Sequence, residues 1–361
     1  MSSGTIPIAD TPEDLTAGWL TAALTTSRVL DGARVLDVTF RPIGTGQMCD
    51  CVRLDIHYDR PTDAPNTIVA KLPAADETSR ATAKALRSYE NEVRFYQQLA
   101  SELPIRTPRA YYADIDVESA SFVLLLEDLA PAQQGDQLRG CSPGQAQIAL
   151  QELVKLHASR WGDPALADIE WLHGDKAANR QFLATLLPGL WEGFRDRYAV
   201  DLSADVIQAG TALFSEIETY LLADPGPSTV VHGDYRLDNL LFDPAPGGVP
   251  VAVVDWQMCT DGPGMNDVAY FVGAGLGVEE RRSAEADLVQ GYHAALTAAG
   301  VTDYAFDQCW LEYRRGTWSG LIMAVAASML VERTARGDQM FLTMADRHSR
   351  HALDLDAAGA I

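Results

Sequence analysis

His232, Gly233 and Asp234 stand together in the stretch VVHGDYRLDNLLFD, with Asn239 five residues after the aspartate and Asp255 farther on, in VVDWQ. These polar residues lie between apolar runs. Val230 and Val231 read as the end of one strand, Leu240 to Phe242 as the start of another, and VPVAVVDWQ as a third. A loop between such strands would present Asp234 and Asn239, and the third strand would deliver Asp255 at its end. Converging carboxylate and amide oxygens suit Mg2+, a hard ion that takes oxygen ligands and keeps waters and phosphates in its shell. Asn239 and Asp255 are the expected ligands. A carboxylate left off the metal, Asp234 by its position, would accept a proton from an incoming hydroxyl.

Metal alone does not move a phosphoryl group; the nucleotide must also be held. Gly44 and Gly46, in IGTGQM, let backbone amides approach phosphate oxygens closely. Lys71, in NTIVAKLPA, would supply positive charge to the α- and β-phosphates, and Glu92 on the following helix would hold it by an ion pair. Glu90, two residues earlier, points elsewhere on a helix. LLLEDL, with Glu127 and Leu129, would meet an adenine ring through backbone groups. The expected cofactors are ATP and Mg2+.

The elements that must position these groups change character along the chain. TPEDLTAGWLTAAL reads as a helix, with Thr11 as N-cap, Pro12 at the first helical position and Leu15, Trp19, Leu20 and Leu24 at helical spacing. ARVLDVTFRPI, CVRLDIHYD, NTIVAKLPA and SFVLLLEDL read as strands. ATAKALRSYENEVRFYQQLA reads as one helix with Leu86, Tyr89, Val93, Tyr96 and Leu99 on one face. Beyond about residue 131 the pattern is helical. SPGQAQIALQELVKLHASRW starts at a Ser142 cap; QFLATLLPGLWEGFRDRYA and ADVIQAGTALFSEIETYLLA follow, with helices again after the VVDWQ strand. A small β-rich lobe over 1–128 and a larger helical lobe over 129–361 are expected, the first for nucleotide, the second for catalysis and substrate.

This set resembles the aminoglycoside phosphotransferase-like kinases, a branch of the protein-kinase-like fold. The segment H-G-D-x-x-x-x-N matches at His232, Gly233, Asp234 and Asn239, and the metal-site aspartate matches at Asp255. ENEVRFYQQL and VVDWQMCTDGPGMNDVAYFVG look most like the ecdysteroid-kinase-like, choline-kinase-related subgroup. The likeness runs from Ile43 to about Phe271, and the first loop, G-T-G, has fewer glycines than that of protein kinases. The resemblance implies an α+β, protein-kinase-like bilobal fold and transfer of the γ-phosphoryl of Mg-ATP to a hydroxyl of a small molecule. It implies Asp234 as base or orienter, Asn239 and Asp255 on Mg2+, Lys71 and Glu92 on the phosphates, and Asp267 as a brace for the loop. His232 reads as hydrogen-bonding that loop, and Trp256, Tyr270 and Phe271 as core.

Rival readings are weaker on residues. A catalytically silent nucleotide- or ligand-binding protein on the same fold would be expected to lack Asp234, Asn239 or Asp255. A metal-dependent hydrolase built on His232 and Asp234 lacks an HxxxH or a second His–Asp cluster. A protein kinase would carry an APE-type segment after Asp255, where GPGMNDVAYF follows instead. A second HGD, at His173 to Asp175, has Arg180 where Asn239 stands, so it reads as a loop or helix start.

Composition sets the outer bounds. At 361 residues the chain has room for two lobes, and a net charge of −22 with no basic stripe argues against nucleic acid. The five cysteines (Cys49, Cys51, Cys141, Cys259 and Cys309) form neither a disulfide framework nor a zinc site, so reduced thiols in a cytoplasmic protein are expected. MSSGTIPIADTPED reads as no signal peptide, and LIMAVAASMLV, Leu321 to Val331, reads as a buried helix shorter than a membrane span. No protein or membrane partner is expected. Trp310, Tyr313, Arg314, Trp318 and Met323 line either a substrate pocket or the core, the core being the commoner fate of such spacing.

Overall fold

The computed structural model describes residues 6–44, 48–223, 226–243 and 250–361. The chain forms two compact units, one of Met1–Glu102 with Thr107–Pro131, the other of Leu103–Arg106 with Ala132–Ile361. Among the described residues the first unit holds helix α1 (Ala17–Thr26) and strands β1 (Val35–Pro42), β2 (Cys49–Tyr58) and β3 (Thr67–Pro73). Helices α2 (Glu77–Ala85) and α3 (Ser88–Arg94) follow, then strands β4 (Ala110–Asp116) and β5 (Ser121–Glu127). The strands make one antiparallel sheet in the order β1-β2-β3-β5-β4. Its core joins Leu20 and Leu24 of α1 to Leu54, Ile68, Ala70, Val123 and Leu125 of the sheet.

Three local outcomes differ from the sequence pattern. Thr11 and Pro12 open only a short 3-10 turn, Pro12–Asp14, and α1 starts afresh at Thr16, whose hydroxyl accepts from Trp19 N–H. The helix expected across residues 81–100 breaks at Arg87, which takes a left-handed backbone with φ of 56°. The break resets the helical face, so Leu86 is left 46% exposed while Tyr89, Glu92 and Val93 turn inward. A π-helical turn over Phe95–Leu99 then buries both Phe95 and Tyr96. Strand β4, AYYADID, escaped notice because it lies at the sheet edge and shows no inward–outward alternation.

The second unit is mainly helical. It contains β6 (Gln133–Gln134), α4 (Pro143–Ser159), α5 (Glu170–His173), α6 (Lys176–Arg197), α7 (Ala204–Ser215) and α8 (Ile217–Leu222). Strands β7 (Ser228–Val231), β8 (Leu240–Phe242), β9 (Val251–Val253) and β10 (Thr260–Pro263) come next. Helices α9 (Gly264–Gly275), α10 (Val278–Ala298), α11 (Phe306–Leu330) and α12 (Ala335–Asp354) complete it. Ser142 caps α4 through a reciprocal box with Gln145, as its sequence suggests. The stretch read as one helix over 204–223 is two, parted at Glu216.

The core of this unit packs Trp191 and Phe194 of α6 with Tyr270 of α9, Trp318, Leu321 and Val325 of α11, and Met344 of α12. Tyr313 and Trp318 of α11 are buried, whereas Trp310 is only partly so. Among the described residues no helix is long and apolar enough to cross a membrane.

Candidate active site

The loop after β7 is held by a single buried carboxylate. Asp267, in the first turn of α9, accepts the His232 N–H at Oδ2 (2.7 Å) and the Gly233 N–H at Oδ1 (3.0 Å). Behind it His157 of α4 approaches Asp267 Oδ2 with Nε2 at 3.4 Å and meets the Tyr292 hydroxyl with Nδ1 at 2.7 Å. Gly233 is required by its backbone: its φ is +79°, and a Cβ there would lie 2.3 Å from the Met258 carbonyl oxygen. Asp267 braces the loop in the manner its sequence position implied.

His232 joins this loop to the next strand. It is fully buried, and its Nε2 lies 3.0 Å from the Val254 carbonyl oxygen, while its Nδ1 lies 3.2 Å from the Asp234 amide nitrogen. A carbonyl only accepts and an amide N–H only donates, so the imidazole proton sits on Nε2.

Asp234 is thus fixed at its backbone, and its carboxylate is fixed as well. Oδ2 accepts from Arg236 Nε and from Asn239 Nδ2, each at 3.0 Å, and Oδ1 accepts from the Tyr270 hydroxyl at 2.7 Å. Arg236 also reaches Asp238 Oδ2 with Nη1 at 2.6 Å. Burial alone would weaken its charge, but the carboxylates of Asp234 and Asp238 more than offset this and hold the guanidinium above its ordinary pKa. Burial, then the neighbouring Asp234 charge, pushes the Tyr270 hydroxyl well up, so it remains a proton donor.

Asn239 and Asp255 reach the same end of one hairpin. The β8–β9 register pairs Leu240 with Val253, and the Val254 N–H donates to the Asn239 carbonyl at 3.0 Å, one step past the ladder. Asp255 follows directly and takes a left-handed backbone, φ 69° and ψ 67°, a conformation uncommon outside glycine. The Asn239 amide nitrogen donates to the Asp234 carbonyl (2.9 Å) as well as to its carboxylate, which leaves the amide oxygen as the end facing away from Asp234.

This donor chemistry fits Mg2+: one amide oxygen and one carboxylate, both hard. Among the described residues no cluster of three or more His, Cys, Asp or Glu stands ready to hold a metal by itself. A pair of oxygen ligands completed by water and phosphate is the arrangement this ion commonly takes.

The second HGD has another use. Asp175 caps α6 by accepting the Ala178 N–H at 2.9 Å, and His173 Nδ1 bonds Asp261 Oδ2 at 3.0 Å. It is a helix start.

In the first unit Lys71 and Glu92 are paired. Lys71 Nζ, on β3, reaches both Glu92 carboxylate oxygens, at 2.7 and 2.6 Å, and both side chains are buried. Glu90 is turned to Arg87, whose Nε donates to it at 3.0 Å. Gly44 has φ +77° with open space around it, while Gly46 lies outside the described residues. Glu127 closes the end of the β4–β5 pair: its Oε2 accepts the Arg109 N–H at 3.0 Å and its own N–H donates to the Arg109 carbonyl at 2.8 Å. Leu129 is buried.

Sequence reasoning placed Tyr270 in the core and missed its hydroxyl. The available signal was its spacing from Asp267, which is three residues and puts both side chains on one face of α9, toward the loop.

The sequence model of the Phosphotransferase enzyme family matches residues 60–305, more than half the chain. Acyl-CoA dehydrogenase family member 10 of Mus musculus is 54% identical over 43 residues, 12% of this chain and 4% of that protein. Acyl-CoA dehydrogenase family member 11 of Gallus gallus is 25% identical over 170 residues, 46% of this chain and 20% of that protein. The matched stretches therefore span a fifth or less of these curated relatives. Among solved structures, an ethanolamine kinase of Plasmodium vivax has a TM-score of 0.54 at 10% identity, covering 95% of this chain and 90% of that one. A microcompartment-associated aminopropanol kinase gives 0.54 at 14% identity, covering 95% and 99%. These likenesses establish a protein-kinase-like fold, with a small β-rich unit and a larger helical one. By fold and by family match, the chain belongs to the Phosphotransferase enzyme family.

Proposed function

We propose that this protein transfers the γ-phosphoryl group of ATP, bound with Mg2+, to a hydroxyl of a small molecule. The observation that carries the reading is the shared anchoring of Asp234, Asn239 and Asp255. The amide of Asn239 grips the Asp234 carboxylate, its backbone joins Val254, and Asp255 is the next residue. A base and two oxygen ligands held this rigidly suit phosphoryl transfer, in which catalysis is mainly positioning and charge stabilisation.

The roles follow from the chemistry of each group. Asn239 and Asp255 would hold Mg2+, which when bound supplies charge neutralisation for the phosphates. Lys71, oriented by Glu92, would bind the α- and β-phosphates, and the Gly44 region would offer backbone amides to them. The segment around Glu127 and Leu129 would meet the adenine. Asp234 would accept a hydrogen bond from the acceptor hydroxyl, align its oxygen and receive its proton as that oxygen bonds to the γ-phosphorus and the bond from phosphorus to the β,γ-bridging oxygen breaks, releasing ADP. Two structural neighbours are an ethanolamine kinase and an aminopropanol kinase, which supports a small hydroxylated acceptor.

Calorimetry with ATP, with and without Mg2+, tests the reading on wild type and Asp255→Ala. Binding that needs Mg2+ and weakens in the variant is the expected result. Absence of binding under both conditions in wild type would leave a silent relative of the fold.

A further inference from the structure

An ionised carboxylate offers about four lone-pair positions to donors. Three of those on Asp234 are taken: two on Oδ2, by Arg236 and Asn239, and one on Oδ1, by Tyr270. The vacancy that an acceptor hydroxyl needs is therefore on Oδ1. With Oδ2 alone restrained, the carboxylate can rock about its Cβ–Cγ bond, a broad torsion. The Tyr270 hydroxyl is the contact that stops Oδ1 from moving.

Tyr270 is itself clamped. Its ring lies parallel to the His348 imidazole, at 5.5 Å between centroids and 6° between planes. His348, from α12, is fully buried and closely walled by two glycines. A Cβ on Gly320 of α11 would lie 2.0 Å from His348 Nε2, and one on Gly273 of α9 would lie 2.6 Å from Nδ1. The glycines thus fix the His348 ring, and the phenol packs parallel to that fixed ring with its hydroxyl on Asp234.

We propose that Tyr270 is a positioning residue for phosphoryl transfer: its hydroxyl, aimed by the ring stack on His348, pins Asp234 so that the open Oδ1 lone pair faces the acceptor. The proposal rests on the role of Asp234 given above. Arg236 and Asn239 set where the carboxylate is, and Tyr270 sets which way its free lone pair points.

The test uses Mg-ATP with water as acceptor, read as ADP release, so that no organic acceptor need be known. Tyr270→Phe keeps the ring and its stack and removes only the hydroxyl. The expected result is a fall in kcat of about 10-fold or more, the scale of a hydrogen bond to a charged group, with KM for Mg-ATP unchanged within about twofold. In the Asp234→Asn background the same change should cost nothing further, because it acts through the lost carboxylate. A normal kcat in Tyr270→Phe, or an undiminished extra loss in the double variant, would overturn the proposal and leave the kinase reading standing. Wild type that neither binds Mg-ATP nor releases ADP would remove that reading and the proposal with it. Should Tyr270→Phe fail to fold, His348→Asn removes the stacking ring and leaves the phenol in place. A fall in kcat at constant KM is then expected, and an unchanged kcat overturns the proposal.

Discussion

The buried imidazole of His232 donates from Nε2 to the carbonyl of Val254, and that bond fastens the Asp234 loop to the strand end that carries Asp255. The two segments lie 22 residues apart in the chain, yet the imidazole spans them with both nitrogens engaged. Together with the Val254 N–H bond to Asn239, it joins the loop to the strand end through backbone and ring atoms. The apolar strands on either side, with Val230, Leu240 and Val253 fully buried, keep this junction from breathing.

Asp234→Asn preserves the shape of the carboxylate and removes its charge and its basicity. Steady-state kinetics should show kcat reduced by roughly 10²- to 10⁴-fold, the usual contribution of a positioned base. Mg-ATP affinity, measured by calorimetry, should stay near wild type.

Lys71 and Glu92 form a buried pair whose two roles can be separated. Glu92→Ala removes the carboxylate that both ends of this buried pair depend on and should cost roughly 3–5 kcal/mol in denaturant unfolding. The double change Lys71→Met with Glu92→Leu should recover most of that stability while nucleotide binding stays lost. Recovery of both would show the pair to be purely structural.

Gly233→Ala meets two penalties at once. The left-handed backbone costs about 1–2 kcal/mol for a residue with a Cβ, and the new carbon would sit 2.3 Å from the Met258 carbonyl oxygen. A lower unfolding midpoint together with loss of turnover is expected, whereas the matching change at Gly44, which has open space, should be the milder in stability.

Burial holds the His348 imidazole well below its usual pKa of 6.5, helped by the charges of His351, Arg347 and Arg281. The unfolded chain therefore binds a proton that the folded protein refuses. Stability is fully present above about pH 6.5 and falls as the pH drops below it, by up to ~1.4 kcal/mol per pH unit for this group. His351, also lowered by burial, adds to the same limb. Unfolding midpoints of wild type and His348→Leu across this range should converge toward acid, the variant showing the shallower slope.

Much of the site was legible in one dimension because its residues are short-range neighbours or end a strand. HGD with Asn239 lies in a single loop, and Asp255 ends a run of buried β-branched residues, so the strand pattern marked the segments and the resemblance of H-G-D-x-x-x-x-N to the kinase motif picked out the residues. The pairing of Lys71 with Glu92 followed from a strand and the helix after it. The choice of Glu92 over Glu90 followed from helical geometry. The order of elements, strands first and helices after, likewise reads directly from the change of period.

Other features needed the folded molecule. The break at Arg87 and the exposure of Leu86 depend on how α3 must turn to bury Glu92 against β3, which no local pattern records. Strand β4 forms because the β5 edge is there to pair with, not because its own residues alternate. Tyr270 was legible only as an apolar ring on a helix. Its hydroxyl meets a carboxylate 36 positions earlier because α9 packs beside the loop after β7. Sequence determined which polar groups are the candidates for chemistry; packing decided how Asp234 is held, since a hydrogen-bond direction is set by the positions of several distant elements at once.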